Sequence, residues 1–145
     1  PITAMNTGGI ISNINGEIIG IASYKITNEM NQNGLYYALD FSSLEEVVSS
    51  TNEIKDILGI SEGGFINSDK WNNVGGFYIA AINQERGSYK SGLRPTDIIF
   101  EMDGKKITSI TQMSEILKNK LPGDTLKCKV MRSGEVKDLE IKIYN

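Results

Sequence analysis

The first group that could carry out chemistry is the hydroxyl of Thr7, in the segment Met5-Asn6-Thr7-Gly8-Gly9. A hydroxyl is a weak nucleophile at neutral pH and needs a neighbouring base, most often an imidazole. The 145-residue sequence contains no histidine. A threonine can instead use a terminal amine as its base, but Thr7 is not the first residue. We therefore expect either an inactive hydroxyl or simply a tight turn at Gly8-Gly9 that leads into a strand.

The second candidate nucleophile is Cys128, the single cysteine of the sequence. One cysteine excludes an internal disulfide and a cysteine-rich zinc site. The segment from Leu126 to Val130 alternates apolar and polar residues, as a strand with one buried face does. This pattern places the thiol on the apolar face, so we predict a buried, structural cysteine.

Carboxylates are scattered along the chain. Glu45 and Glu46 are consecutive on a predicted helix, and Asp97, Glu101 and Asp103 lie near a predicted strand. No pair has the spacing of acid–base catalysis on a sugar, and no cluster suggests a metal site. We interpret these side chains as solvated charges, and we predict that the chain holds neither a metal ion nor a cofactor.

The composition is that of an ordinary globular protein, with 39% hydrophobic and 23% charged residues. The net charge is −3 and no basic stripe is visible, which argues against a nucleic-acid partner. No apolar run is long enough to span a membrane. The length allows one full domain, or one small domain and a piece of another. The first residue is proline rather than methionine, so we expect a fragment or a processed form.

Residues 1–40 have the pattern of strands joined by tight turns. Ile10 to Ile14 and Glu17 to Ile26 flank Asn15-Gly16, a strong signal for a hairpin with a type I′ turn. The polar residues from Thr27 to Gly34 predict an exposed loop. Leu35 to Phe41 predicts a third strand.

A helix should follow the third strand. Ser43-Leu44-Glu45-Glu46 has the sequence of a capping box, in which serine and glutamate satisfy free N–H groups at a helix start. We expect this helix to end near Ser50. Its apolar face would consist of Leu44, Val47 and Val48. The residues from Thr51 to Asp56 predict a boundary, which divides the chain into domains at 1–52 and 53–145.

The second half alternates short strands and helices. It begins with an apolar segment around a glycine, Ile57-Leu58-Gly59-Ile60, and a polar stretch over 61–76. The pattern then predicts a strand over 77–83, a short helix over 87–92 and a strand over 97–102 that ends in a turn at Asp103-Gly104. A helix capped by Ser109 should extend to about Asn119, and a hairpin of 126–131 with 136–143 should form around Ser133-Gly134. The apolar side of the longer helix is Met113, Ile116 and Leu117.

In order and spacing, these segments resemble the C-terminal part of HtrA/DegP-type serine proteases, in which a chymotrypsin-like double barrel is followed by a PDZ domain. Residues 5–11 and 16–21 are similar to that family's G-N-S-G-G-P-L nucleophile motif and its later G-E-V-I-G-I segment. Residues 88–99 resemble its S-x-A-x-x-A-G-L-x-P-G-D-x-I motif. Residues 103–107 and 122–126 resemble its D-G-x-x-I and P-G-D-x-L segments.

The resemblance implies a mainly β fold with short helices, of the α+β class. A partial chymotrypsin-like β-barrel segment over 1–52 would be followed by a PDZ domain over 53–145. A few strands do not close a barrel, and they leave open edges. We therefore expect residues 1–50 to pair with another copy of the chain, as a homo-oligomer, or to pack on N-terminal sequence that is absent here.

The protease-like part departs from the family at three positions. Thr7 stands in place of the nucleophilic serine, Met5 replaces the glycine whose N–H helps to form the oxyanion hole, and Ile10 replaces a proline. With the missing histidine, these changes predict that Thr7 marks a degenerate, inactive catalytic position, as in a pseudoprotease. The alternative is the C-terminal part of an active serine endopeptidase whose histidine and aspartate lie in preceding sequence.

The PDZ-like part implies peptide binding, because a PDZ domain adds an extended or C-terminal peptide as a strand to its sheet edge. Carried onto this chain, the peptide-binding residues are Leu58, Gly59, Ile60, Met113, Ile116 and Leu117. Gly59 would let backbone N–H groups converge on a terminal carboxylate. The alternative is that the apolar members of this set are plain core residues.

The partners that the resemblance implies are peptides or unfolded protein termini, bound in protein quality control. It also implies an extracytoplasmic or membrane-tethered location. A third, different hypothesis is a purely structural oligomerisation domain. Trp71, in the polar stretch, has two interpretations: an interaction hot spot, or a side chain that covers the small core.

Overall fold

The computed structural model describes residues 2–24, 26–27, 37–66 and 74–143, which form two compact units that divide between Val48 and Ser49. Each unit contains one antiparallel sheet, and helices are few. The fold is therefore mainly β with helices, as the sequence predicts. Within the described ranges, neither sheet closes into a barrel.

The first unit is built on a three-stranded sheet in the order β1-β2-β3. Its strands are β1 (Ile10–Ser12), β2 (Ile18–Ala22) and β3 (Ala38–Asp40), and a short 3-10 helix (Ala4–Asn6) precedes them. Gly20 of β2 lies against β3, where a Cβ would come within 2.5 Å of the Leu39 carbonyl oxygen. Only glycine allows the two strands to approach this closely.

The β1–β2 hairpin forms, but its turn is wider than the predicted type I′ turn. The Asn13 N–H donates to the Glu17 carbonyl at 2.9 Å, and the Gly16 N–H donates to the Asn13 carbonyl at 3.0 Å. Gly16 has a φ of 82°, but Asn15 is not among the residues with positive φ. The Asn13 side chain favours this three-residue turn, because its Oδ1 accepts the N–H groups of Asn15 and Glu17.

The return strand is shorter than predicted. β2 ends at Ala22, and helical residues follow where the predicted strand continues to Ile26. Thr27, predicted in an exposed loop, is 2% exposed. Its hydroxyl donates to the Tyr37 carbonyl at 3.2 Å and accepts the Tyr37 N–H at 2.9 Å. The rest of that predicted loop, 28–34, and the predicted strand start at 35–36 lie outside the described residues.

A long helix, α1 (Phe41–Leu58), follows β3 directly and begins before the predicted capping box at Ser43. Asp40 caps it instead. The Asp40 carboxylate accepts the Ser43 N–H at 2.9 Å and the hydroxyls of Ser42 and Ser43 at 2.5 and 2.7 Å. These hydrogen bonds, that from Ser42 foremost, hold the pKa of Asp40 well below its usual range. A charged carboxylate also interacts favourably with the positive end of the helix.

The prediction that this helix ends near Ser50 is wrong, because α1 continues to Leu58. Residues 51–56 contain neither proline nor glycine to stop it. The predicted apolar face is largely exposed, with Val47 at 45%, Val48 at 59% and Leu44 half-buried. The buried residues of α1 are Ser50, Ile54 and Leu58. The predicted domain limit after residue 52 falls within this helix, so that division stays a prediction.

The second unit contains a six-stranded sheet in the order β4-β5-β6-β8-β9, with β7 paired to β6. Its elements are β4 (Ile60–Ile66), β5 (Gly76–Ile82), α2 (Gly87–Lys90), β6 (Ile98–Met102), β7 (Lys105–Lys106), α3 (Ile110–Lys118), β8 (Thr125–Arg132) and β9 (Glu135–Lys142). From β5 onward the elements agree with the prediction, except that the two-residue strand β7 was not predicted. β4 lies in the stretch that was predicted as a polar loop. The strand was missed because an edge strand does not need the regular apolar alternation by which strands are recognised. Residues 67–73, with Trp71, lie outside the described residues.

Two tight turns join strands of this sheet as predicted. Both residues of Asp103-Gly104, and both of Ser133-Gly134, have positive φ, as a type I′ turn requires. The predicted cap of α3 is also confirmed, because the Ser109 hydroxyl accepts the Gln112 N–H at 3.1 Å.

The core of the second unit combines strand residues with Ile54 and Leu58 of α1 and Met113 and Leu117 of α3. Among the described residues, every buried hydrophobic side chain except Ala22 belongs to this unit. The prediction for Cys128 is confirmed: it is 3% exposed, and burial raises the pKa of its thiol to about 12.

The interpretation of Asp97 as a solvated charge is wrong. Asp97 is 0% exposed and is paired with Arg132. Glu101 is half-buried and forms an ion pair with Lys129 at 3.1 Å. Glu45 and Glu46 are exposed, as the sequence predicts. The Asp103 carboxylate is not simply solvated, because it lies 2.6 Å from the Lys120 ammonium and accepts the Lys127 N–H at 3.0 Å.

Candidate functional site

The outer edge of β4 offers unpaired backbone groups. Within the described ranges β4 pairs only with β5. In an antiparallel pair, alternate residues turn their N–H and C=O groups toward the neighbouring strand, and those between turn them away. The Asn83 N–H donates to the Gly59 carbonyl at 2.9 Å, so Gly59 faces β5 and the backbone groups of Ile60 face outward. The pairing shifts register at Glu62, and beyond it the N–H and carbonyl of Ile79 both bond on the β6 side. Gly63, which is opposite Ile79, therefore turns its backbone groups outward, and so does Phe65 two residues later.

Gly59 forms the turn between α1 and β4. It has a φ of 63°, and its N–H closes the helix end by donating to the Asp56 carbonyl at 3.3 Å. A Cβ at this position would lie 2.5 Å from Cβ and 2.6 Å from Cγ of Arg86. Two features therefore require glycine at this position: the left-handed backbone and the close approach of the Arg86 stem.

The side chains on either side of this turn are buried. Leu58 is 0% exposed and Ile60 is 4% exposed. Both belong to the same core as Met113 and Leu117 of α3, which are 0% and 1% exposed. Four of the predicted site residues thus lie together in one core, as the alternative interpretation holds. Whether they contact a ligand stays a prediction.

Ile116 has a different environment. It packs partly against the core and also lines a cavity of about 380 Å³ beside Asp103. The other residues that line this cavity are Lys105, Gln112, Glu115, Asn119 and Lys120. The cavity is therefore largely polar, and Ile116 contributes an apolar side chain to it.

A polar contact that the sequence did not predict joins α1 to α3. The Ser114 hydroxyl, on a residue that is 2% exposed, donates to the Glu53 carboxylate at 2.7 Å. The Lys118 ammonium lies 3.1 Å from the same carboxylate. Hydrogen bonds from Ser114 and then from Lys118 lower the pKa of Glu53. Glu53 lies 61 residues before Ser114, so no local pattern could reveal the contact.

A small pocket lies at the Gly59 turn, with a volume of about 130 Å³. Its lining residues are Lys55, Asp56, Gly59, Ile60, Ser61, Asn83 and Arg86. Neither Lys55 nor Arg86 forms an ion pair with another described residue. Neither cation was predicted from the sequence. Lys55 precedes Gly59 by one helical turn and could have been found from that spacing, whereas Arg86 comes from the loop after β5.

The hydroxyl of Thr7 has a structural role. Thr7 is exposed, and its Oγ1 accepts the Tyr24 N–H at 2.8 Å, which ties this segment to the chain after β2. Gly8 has a φ of 84° and donates its N–H to the Ala22 carbonyl at 2.9 Å, so a tight turn does lead into the sheet. Met5 is 98% exposed. In the described part of the chain, Tyr24 is the residue that hydrogen-bonds to this hydroxyl, and a backbone N–H cannot act as a base.

The described residues contain no group of three or more His, Cys, Asp or Glu side chains placed to hold a metal ion. None of their helices combines the length and the apolar character that crossing a membrane demands.

Comparison with known proteins identifies the family. Residues 41–143 match the family described as PDZ domain. The chain belongs to the PDZ domain family. The matched region starts at the first residue of α1 and includes every element of the second unit. The Gly59 turn and the outer edge of β4 are therefore features of a PDZ domain.

The chain also resembles the PDZ-containing part of HtrA/DegP-type serine proteases. It is 29% identical over 147 residues to a probable periplasmic serine protease do/HhoA-like of Haemophilus influenzae, covering 95% of this chain and 31% of that protein. It is 28% identical over 157 residues to the serine protease Do-like HtrA of Lactobacillus helveticus, covering 95% and 37%. The chain thus spans about a third of the length of these relatives.

Solved structures share the fold. The HtrA-type protease AlgW with a decapeptide superposes with a TM-score of 0.51 at 20% identity, covering 94% of this chain and 45% of that one. A variant of AlgW with a decapeptide gives a TM-score of 0.53 at 20% identity, covering 89% and 42%. At this identity the likeness concerns the fold of the PDZ domain and of the segment before it.

Proposed function

We propose that this PDZ domain binds extended or C-terminal peptides by adding them as a strand to the outer edge of β4. The observation that carries the proposal is the row of outward backbone groups that starts at Ile60, directly after the Gly59 turn. An unpaired edge of this kind can receive a peptide strand through main-chain hydrogen bonds. The AlgW structures with a decapeptide support the proposal through their fold.

The predicted site residues have distinct parts in this proposal. Gly59 shapes the turn at which a peptide would end, and the Ile60 N–H is the first outward donor. Leu58, Ile60, Met113 and Leu117 are buried, so they would form the floor beneath a peptide side chain. Ile116, which is half-buried on α3, would contact a ligand at the margin of that floor.

A proline at position 65 tests the strand-addition mode. Phe65→Pro removes an outward N–H from β4 without taking a donor from the β5 pairing. Phe65→Ala is the matched control, because it also removes the aromatic ring but retains the N–H. The assay is a titration with a pool of apolar-ended decapeptides, followed through backbone amide shifts. We expect shifts at Gly59 and Ile60 in the alanine variant and a loss of binding in the proline variant. Equal binding by both variants would exclude the edge of β4.

We further propose that Thr7 marks an inactive catalytic position, so that this chain acts by binding rather than by cleavage. Two observations support this proposal: the sequence contains no histidine, and the Thr7 hydroxyl accepts a hydrogen bond from the Tyr24 N–H. The alternative is the C-terminal part of an active endopeptidase, since the relatives are named serine proteases and are about three times longer. Casein cleavage by this chain, abolished in Thr7→Val, would refute the inactive-site proposal.

The first unit has an unusually apolar surface for its size. All the exposed large hydrophobic side chains of the described residues, except Leu121 and Val136, lie in this unit. Such a surface marks an interaction site. We propose that it packs against the same unit in a second copy of the chain. Sedimentation at high concentration tests this proposal. If only monomer is found, the proposal fails, and preceding sequence remains as the candidate that covers the apolar surface.

The proposed location is extracytoplasmic. The curated relatives include proteins named as periplasmic serine proteases. Fractionation of cells that produce the full-length protein would test it, and recovery with a cytoplasmic marker alone would refute it.

A further inference from the structure

The sheet of the second unit has an apolar row on the face that turns away from the core. Tyr78 of β5 is paired with Ile98 of β6, and Ile98 is paired with Met131 of β8. Their neighbours along the strands, Phe77 and Ile99, are buried in the core, so the three side chains of the row lie on the opposite face. Each of the three is half-buried, and none belongs to the core or to the residues packed against it.

A cavity of about 560 Å³ lies over this apolar row. Val74 adds a fourth apolar side chain to the lining, and Thr96, Ser133 and Gly134 complete it. None of the described residues that line this cavity is charged, whereas the two cavities described above are lined by both acidic and basic side chains. Sites for whole small molecules usually measure about 300–1,000 Å³. The size and the lining therefore fit an uncharged, largely apolar molecule.

The backbone of Thr96, in the lining of this cavity, has an unfavourable conformation. A four-residue turn is closed by the Asp97 N–H, which donates to the Arg94 carbonyl at 3.3 Å, and the third residue of the turn, Thr96, has a φ of 75°. Glycine is favoured at such a position, and the P-G-D motif that residues 95–97 resemble has glycine there. For a β-branched residue this left-handed backbone is an outlier. Threonine therefore costs stability in a turn that glycine would form without strain.

We propose that this cavity binds an uncharged, largely apolar small molecule, and that the Thr96 hydroxyl forms a hydrogen bond with the polar end of that molecule. Backbone strain is typically retained at positions that serve a ligand, and Thr96 is exposed, so its hydroxyl is accessible. Ser133, which is also exposed, adds a second hydroxyl to the lining. Apolar walls with a few polar groups are the usual composition of a small-molecule site. No residue of β4 lines the cavity, so the inference is independent of the proposed peptide binding.

The experiment uses Nile red, an uncharged and largely apolar dye with a carbonyl acceptor, as the probe. The whole chain is titrated into the dye, so that fluorescence gives the affinity and backbone amide shifts locate the dye. Met131→Lys places a cation in the apolar wall. Val136→Lys is the matched control, because Val136 is paired with Met131, is 54% exposed and does not line the cavity. Thr96→Gly removes the hydroxyl, and it should fold readily because it also relieves the backbone.

We expect Nile red to bind the wild-type chain and to shift the amides of Ile98 and Met131. Met131→Lys should weaken binding by roughly 10-fold or more, because a bound apolar molecule would desolvate the new charge. Val136→Lys should bind as the wild type does. Thr96→Gly should weaken binding by roughly 3-fold through the lost hydrogen bond, and it should unfold at a higher urea concentration than the wild type.

Three results would overturn the inference. The first is equal affinity of Met131→Lys and the wild type, and the second is a set of amide shifts that is confined to the first unit. The third is a set of shifts at Ile98 and Met131 that grows with protein concentration without dye, because a second copy of the chain would then cover this face. If Thr96→Gly gains stability and keeps its full affinity, the hydrogen bond assigned to the Thr96 hydroxyl is refuted.

Discussion

The carboxylate of Asp97 and the guanidinium of Arg132 form a two-pronged ion pair. Arg132 donates its Nε–H to one oxygen at 2.6 Å and its Nη2–H to the other at 2.7 Å. The Arg94 N–H donates to the second oxygen at 2.9 Å, and Arg132 also donates to the Gly92 carbonyl at 2.7 Å. Asp97 is 0% exposed. The pair therefore fastens the loop before β6 to the end of β8.

Removal of Arg132 should destabilise the second unit strongly. In Arg132→Met the Asp97 carboxylate stays buried without its charged partner, a change that usually costs about 3–5 kcal/mol. Urea unfolding followed by circular dichroism measures the loss. The control is Lys137→Met, which breaks the exposed pair with Glu135 and should cost at most about 1 kcal/mol. Equal losses in the two variants would show that burial of Asp97 does not set the cost.

A methyl group at position 59 should be costly. Gly59→Ala forces a left-handed residue and pushes against the Arg86 stem, so we expect a loss of at least about 1–2 kcal/mol of unfolding free energy. Gly64→Ala, in the open edge of β4, should change stability by less than about 0.5 kcal/mol. If Gly59→Ala unfolds at the wild-type urea concentration, the turn geometry described above is incorrect.

The thiol of Cys128 should not react in the native protein. It is 3% exposed, and burial raises its pKa to about 12, so almost no thiolate is present at pH 8. We expect iodoacetamide to label Cys128 only in denaturant, with mass spectrometry as the readout. Labelling of the folded chain at the rate of a free cysteine would contradict the burial.

The contact of Glu53 with Ser114 should make stability depend on pH. The folded-state pKa of Glu53 is lowered from 4.5, so ionised Glu53 stabilises the fold at pH values above 4.5. That stabilisation is lost as the pH falls below 4.5 through the folded-state pKa. The difference in unfolding free energy between wild type and Glu53→Gln should thus be constant near neutral pH and shrink in acid. A difference that stays the same from pH 7 to pH 3 would refute the contact. Ser114→Ala should reduce the pH dependence in the same way.

Local rules predicted those elements whose signal is contained within a few residues. The turns at Asp103-Gly104 and Ser133-Gly134 form as expected, because each has two residues that tolerate positive φ between paired strands. Asn15-Gly16 has the same signal, yet the turn there is wider, because the Asn13 side chain accepts the N–H groups of Asn15 and Glu17. A competing hydrogen bond from outside the dipeptide decided the geometry.

Features that depend on distant partners could not be predicted from the sequence. Asp97 has the sequence context of a surface charge, and only the pairing of β6 with β8 brings Arg132 to it. The length of α1 was missed for a related reason. The buried residues Ile54 and Leu58 extend the helix because they enter the core of the second unit.

The turn at Gly59 was predicted, but its surroundings were not. A left-handed glycine does lie directly before β4, and the assignment of a peptide site to this turn stays a prediction. Its apolar neighbours, however, are packed in the core, and the charged groups at the turn come from elsewhere. Sequence spacing fixes where a backbone turns, whereas the side chains that surround the turn depend on how the strands assemble.

Gly59 and Arg86 differ in how freely they can change. Position 59 joins the end of α1 to the start of β4 with a left-handed backbone, and it leaves room for the stem of Arg86. Nearly every other side chain at this position would strain the backbone or clash with that stem. Position 86 is exposed, and shortening or exchanging its end group leaves that backbone untouched. Over evolutionary time, descendants of this protein can therefore change the charge beside this turn through position 86, while the architecture beneath it is inherited unaltered.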